Sequence, residues 1–257
     1  MSVREQFERE LTKRGLSFSV DPESGGHLVS VNDNQLKVSL DNLERELAAG
    51  VDADRVARFV DTVLASAQTA AEDYAAERLF WSLEPNDYEE KADYCAPVSD
   101  AVDRVLVHLS ACGSMITWVT PSILETLGLS ADAAGEQAFA NLSREVAAAT
   151  LEAQGVDGVP LGYVITELPF KAAMILAPNL RELVEDKLGW PVMAVTPDRD
   201  FLYLWGAEHQ QLAQRVGPVV VREYARSPYA ISTEVYQIDD NGPHAVGAYP
   251  VPEEPAE

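Results

Sequence analysis

Trp190-Pro-Val-Met-Ala-Val-Thr-Pro-Asp-Arg-Asp-Phe-Leu-Tyr-Leu-Trp205 is the stretch that decides how this chain folds. Two apolar runs of strand length flank the charged tripeptide Asp198-Arg199-Asp200, and Pro197 with Asp198 supplies turn chemistry. The pattern predicts a buried β-hairpin with an acidic tip, central in its sheet. A helix is expected over 208–226, kinked or restarted at Gly217-Pro218. A strand over 233–238 and a turn over 239–243 follow it.

Upstream, the spacing of Val3, Phe7 and Leu11, with Glu10 at the edge of that side, predicts an amphipathic helix over 2–14 that Gly15 caps. Three strands, 16–20, 27–31 and 35–40, are joined by turn-rich links and make a small antiparallel meander. Val56, Phe59, Val60, Val63, Leu64 and Ala67 define one face of a helix over 53–69, with Asp52 as N-cap. Residues 87–100 mix aromatic and charged side chains, which suggests a linker or surface excursion over 81–103.

Strands at 104–110 and 115–119 open the second half. A short helix starts at Thr120-Pro121, with proline at its first position, and a longer one runs from 131 to 153 and ends at Gly155. A strand over 161–166 and a helix over 171–188, interrupted by Pro178, lead back to the hairpin. The expected fold is α+β: a mixed, mostly antiparallel sheet with packed helices, plus a small N-terminal unit of helix, meander and helix. The expected divisions are 1–80, the linker 81–103, an α+β domain 104–242, and a flexible Pro/Glu-rich tail 243–257.

The chain of 257 residues carries 42 acidic and 19 basic side chains, a net charge of −23. The excess divides evenly, −12 over residues 1–130 and −11 over 131–257. A field of this sign and the lack of a basic stripe disfavour direct binding of nucleic acid and favour a partner with a basic surface. Two cysteines, Cys95 and Cys112, are too few for a disulfide framework or a zinc cluster. The first ten residues are charged and lack an apolar core, so no signal peptide is expected, and no apolar run approaches the length of a membrane span. A cytoplasmic location is the expectation.

Ala138-Phe139-Ala140-Asn141-Leu142, Val192 to Asp200, and Tyr229-Ala230-Ile231-Ser232 carry a resemblance to the YtpQ-like family of uncharacterised bacterial proteins. It spans about residues 129–236. The N-terminal half is compatible with that family's layout of helix, small sheet and long helix, and the resemblance supplies no reaction, cofactor or catalytic residue. The segment Lys171-Ala-Ala-Met-Ile-Leu176 is apolar here, whereas some relatives are polar and charged at that place.

The candidate binding residues are Asp198, Arg199, Asp200, Glu208, His209 and Asn141. Two carboxylates at i, i+2 on a turn could share a cation or set up acid–base work; a solvated tip in which Asp198 bonds its own turn and Arg199 offsets the pair is the simpler reading. Glu208-His209 is expected to open a helix, where a histidine could act as a base beside an acid at the helix start, but no HExxH pattern follows. Asn141 lies beside an apolar helix face, where an amide must be satisfied by a neighbouring element. Trp118, Trp190 and Trp205 fall at strand ends and read as core edge or as an aromatic binding face. Cys112 lacks a basic neighbour, and neither a Gly-x-Ser-x-Gly frame nor a phosphate-binding glycine loop occurs. No catalytic residue, cofactor or metal is assigned. The favoured function is a non-enzymatic acidic interaction or adaptor protein. The alternatives are a hydrolase using Asp198, Asp200 and His209, and an acidic inhibitor mimicking nucleic acid.

Overall fold

The computed structural model describes residues 2–20, 26–31, 34–38, 40, 43–44, 47, 54–69, 74–88, 91–111, 113 and 116–251. The chain divides into two compact units, 1–73 with 227–229 and 74–226 with 230–257.

In the first unit, α1 (Val3–Lys13) starts in a capping box: the Ser2 hydroxyl accepts from the Glu5 amide, and the Glu5 carboxylate accepts from the Ser2 amide. It ends in a Schellman turn, where Gly15 takes φ +71° and the Leu16 amide donates back to the Leu11 carbonyl. Strands β1 (Ser17–Val20), β2 (His27–Val31) and β3 (Asn34–Val38) form the antiparallel meander. Helix α2 (Arg55–Thr69) buries Val56, Val60 and Val63 in a core shared with Phe7, Leu11, Val29 and Val31. Arg14 ties α1 to α2 through the Ala57 carbonyl and Asp61. Asp52, the expected N-cap, lies outside the described residues.

The second unit opens earlier than expected. Strand β4 (Leu79–Pro85) is buried along nearly its whole length, and β6 (Val102–Leu109) lies between it and β5 (Cys95–Pro97), with β7 (Ile116–Trp118) also on β6. The expected linker over 81–103 is thus corrected: its first residues are core. Ser82 and Glu84 interrupt the apolar pattern of β4, but their polar atoms are satisfied by each other and by Arg199. Helices α3 (Pro121–Leu127) and α4 (Ala131–Ala148) follow, the latter capped by Ser130. The helix expected to reach residue 153 stops at Ala148. Residues Thr150–Val156 instead form β8, joined to β9 (Val159–Ile165) by Asp157-Gly158, both at positive φ (52° and 82°). Those dihedrals are what a two-residue hairpin turn demands, so Gly155 lies in a strand and caps nothing.

A 3-10 helix (Lys171–Leu176) and α5 (Leu180–Leu188) lead to β10 (Val192–Val195) and β11 (Tyr203–Gly206). Helix α6 (Gln211–Arg226) runs through Pro218 as one element. Strands β12 (Glu234–Asp239) and β13 (Gly242–Ala248) complete a six-stranded antiparallel sheet in the order β13-β12-β10-β11-β9-β8. The quoted hairpin therefore supplies the two middle strands. The tail expected from 243 is partly corrected as well: residues up to Ala248 pair with β12, and 252–257 lie outside the described residues.

One face of this sheet buries Val164, Val192, Leu204 and Tyr236 in the large core. The other places Leu161, Met193, Val195 and Trp205 under Leu212, Val216 and Val220 of α6. The fold is α+β, with antiparallel sheets and packed helices.

Candidate functional site at the hairpin tip and the aromatic groove

The three charges of the tip face three ways. Asp198 accepts from the Asp200 amide at 2.7 Å, bonding its own turn, and its carbonyl accepts from the Phe201 amide. Arg199 turns inward and donates to Glu84 at 2.6 Å; that carboxylate is 1% exposed and also accepts from the Ser82 hydroxyl at 2.9 Å. Asp200 points outward, 64% exposed, with Lys171 at 3.2 Å.

His209 lies beyond the opposite end of β11 from Asp200, beside Glu208 at 3.3 Å. Four strand residues intervene, about 13 Å of extended chain. Asp198, Asp200 and His209 are therefore not assembled into a catalytic group, and Glu208 precedes α6 without entering it. Among the described residues no group of three or more His, Cys, Asp or Glu side chains could hold a metal ion.

Asn141 is fully buried on α4. Its amide donates to the carbonyls of Ala76 (2.8 Å) and Leu79 (2.7 Å), and its oxygen accepts from Gln137 and Arg144, both at 2.9 Å. The two donations join α4 to the start of β4, while the two acceptances tie the amide to its own helix. The tryptophans form no common face: Trp205 is fully buried, Trp190 donates to Asp240, and Trp118 packs on Tyr88.

A concavity opens beside the Phe201 and Tyr203 rings. It holds about 350 Å³ and is lined by Tyr163, Phe201, Tyr203, Gln154, Lys171 and Asp200. Tyr163 and Tyr203 are partners across β9 and β11, and the Phe201 and Tyr203 rings lie 4.4 Å apart, tilted by 52°. The Tyr163 hydroxyl donates to Glu152 on β8 at 2.5 Å, and this bond holds the phenol above its usual pKa. Tyr163, Lys171 and Glu152 escaped the sequence reading. The available signal was the alternation Val159, Leu161, Tyr163, which continues the face shared with Trp205.

A second polar cluster joins the two sheets of this unit. Glu234 accepts from the hydroxyls of Ser99 (2.6 Å), Ser232 (3.2 Å) and Tyr236 (2.7 Å). Burial first, and the bond to Glu234 second, push the Tyr236 phenol well above its usual pKa.

No family model matches the chain, and neither a curated protein nor a solved structure is significantly similar to it. Among the described residues no helix is long and apolar enough to cross a membrane.

Proposed function

We propose that this chain is a non-enzymatic interaction protein of the bacterial cytoplasm that engages a partner protein with a basic surface. The observation that carries this reading is the groove: three aromatic rings beside an outward-facing carboxylate, on the six-stranded sheet. Aromatic side chains offer large contact area at low entropic cost and are enriched at the centres of interfaces. The net charge of −23 draws in a basic partner and speeds the encounter. The resemblance to the YtpQ-like family accords with a bacterial origin and adds no reaction.

The test is quantitative capture from the native cell. Tagged wild type, Asp200→Asn and Tyr163→Ser are compared after thermal melts establish that all three are folded. One stoichiometric protein, recovered with wild type and depleted in both variants, is the expected result. A partner set unchanged by both substitutions, or no stoichiometric protein at all, overturns the reading.

A further inference from the structure

We propose that the free edge of β8 accepts an extended basic segment of the partner as a seventh strand of the six-stranded sheet. This deepens the interaction reading above and rests on it.

The backbone defines which groups are available. The β8–β9 hairpin closes on Asp157-Gly158, so Val156 and Val159 are a hydrogen-bonded pair and the pairs alternate from there. Gly155 and Pro160 then fall in the non-bonded class, where a proline without N–H costs nothing. By the same alternation Leu151, Ala153 and Gly155 turn their N–H and C=O groups outward, away from β9. The Leu151 carbonyl is taken by Lys187 at 2.5 Å, which closes the edge at that end. Residues 152–155 are all exposed, so the two outward residues Ala153 and Gly155 present four backbone groups that no other described residue takes.

Edge strands are ordinarily blunted by lysine, proline or a bulge. The opposite edge, β13, carries Pro243 and a register shift against β12. Strand β8 has neither device, and it pairs with β9 over seven residues without a break. Its one charged residue is Glu152, at the start of the open stretch. That carboxylate accepts the neutral Tyr163 hydroxyl, and among the described residues no cation lies within ion-pair distance of it.

Charge selects the occupant. A second copy of this chain would bring another −23 to the edge and set Glu152 near its own equivalent. An extended segment with Lys or Arg beside Glu152 instead gains an ion pair on the face that carries Tyr163. Its alternate side chains lie beside Ala153 and Gly155. A β-carbon at Gly155 would meet nothing within 4 Å, so branched apolar residues have room there. The ligand class is an extended peptide alternating basic and β-branched residues, held by main-chain bonds with side chains giving specificity.

The experiment uses the full chain and three labelled peptides, of four Lys-Val, Glu-Val or Lys-Pro repeats. Fluorescence anisotropy gives affinity, and hydrogen exchange resolves the segment 150–156 with and without peptide. The Lys-Val peptide is expected to bind, to slow exchange in that segment, and to bind about tenfold more weakly to Ala153→Pro, which removes one outward donor. The Glu-Val and Lys-Pro peptides are expected to bind weakly. Equal binding of the Lys-Pro or Glu-Val peptide, absent Lys-Val binding, or unchanged exchange in β8 overturns the proposal. The exchange readout needs no variant, so a misfolded Ala153→Pro does not blunt it. These assays involve no cellular partner, so their failure leaves Asp200-dependent capture standing, and a failed capture leaves them unaffected.

Discussion

Replacing Asn141 by leucine keeps most of the side-chain volume and removes two hydrogen bonds from the junction of α4 and β4, to the Ala76 and Leu79 carbonyls, together with two inside α4. The Leu79 carbonyl is buried, and losing its donor costs about 1–3 kcal/mol. The Ala76 carbonyl is only partly buried, so water replaces some of what is lost, and its share is about 0.5–1.5 kcal/mol. Arg144 keeps its second anchor, the Glu77 carbonyl. The expected loss is therefore about 3 kcal/mol, or roughly 6–12 °C in Tm for a unit of this size. All four tryptophans lie within 74–226, so tryptophan fluorescence in a urea titration reports this unit alone. The midpoint should fall while the slope m stays constant. Gln137→Ala, which deletes one bond at the partly buried side of the cluster, should cost less than about 1 kcal/mol. A loss below about 0.5 kcal/mol for Asn141→Leu would show that the amide does not satisfy those carbonyls and would refute the reasoning.

Two further perturbations follow from the polar links. Arg199→Met leaves Glu84 buried without its cation and should destabilise the unit by about 3 kcal/mol, whereas Arg199→Met with Glu84→Leu should recover most of that in the same urea titration; a double variant no better than the single one counts against the pair. Alkali gives the second. Burial pushes the Tyr249 phenol up to about 12, and Tyr236 is pushed further in the same direction. Below pH 10 these phenols are neutral in both the folded and the unfolded chain. Between about 10 and 12 the unfolded chain ionises while the fold holds the protons, so stability falls as pH rises. Tm should drop between about pH 10 and 12, less steeply in Tyr249→Phe, and parallel curves would contradict this.

What could be read from the sequence were features with a local cause. The β10–β11 hairpin shows two apolar runs and a turn, and α1 shows a four-residue period with its glycine stop. The end of α4 was misplaced because Thr150 to Gln154 contains residues that a helix tolerates; the Asp157-Gly158 turn was the deciding signal, and it sits beyond them. Strand β4 was missed because Ser82 and Glu84 look like surface residues until Arg199, 115 positions on, is seen to satisfy the acid. Proximity in sequence also misled. Asp200 and His209 are nine positions apart, but the strand between them carries them to opposite ends of β11.

The Arg199–Glu84 bond also links architecture to the groove. Arg199 sits between Asp198 and Asp200, so fixing it on β4 fixes the turn that aims Asp200 at Lys171 and places Phe201 against Tyr203. Its carbonyl accepts from the Ala172 amide, next to Lys171, so both charged linings of the groove hang on one residue. Glu84 contributes no atom to that groove, yet its substitution should disturb partner capture. Glu84→Gln keeps an oxygen for Arg199 but removes the charge that holds the guanidinium inward. With the fold retained, captured partner should decrease and the Phe201–Tyr203 ring contact, followed by aromatic proton shifts, should loosen. Capture equal to wild type, with the ring shifts moved, would separate the tip from the binding surface and leave β8 as the place where the partner is held.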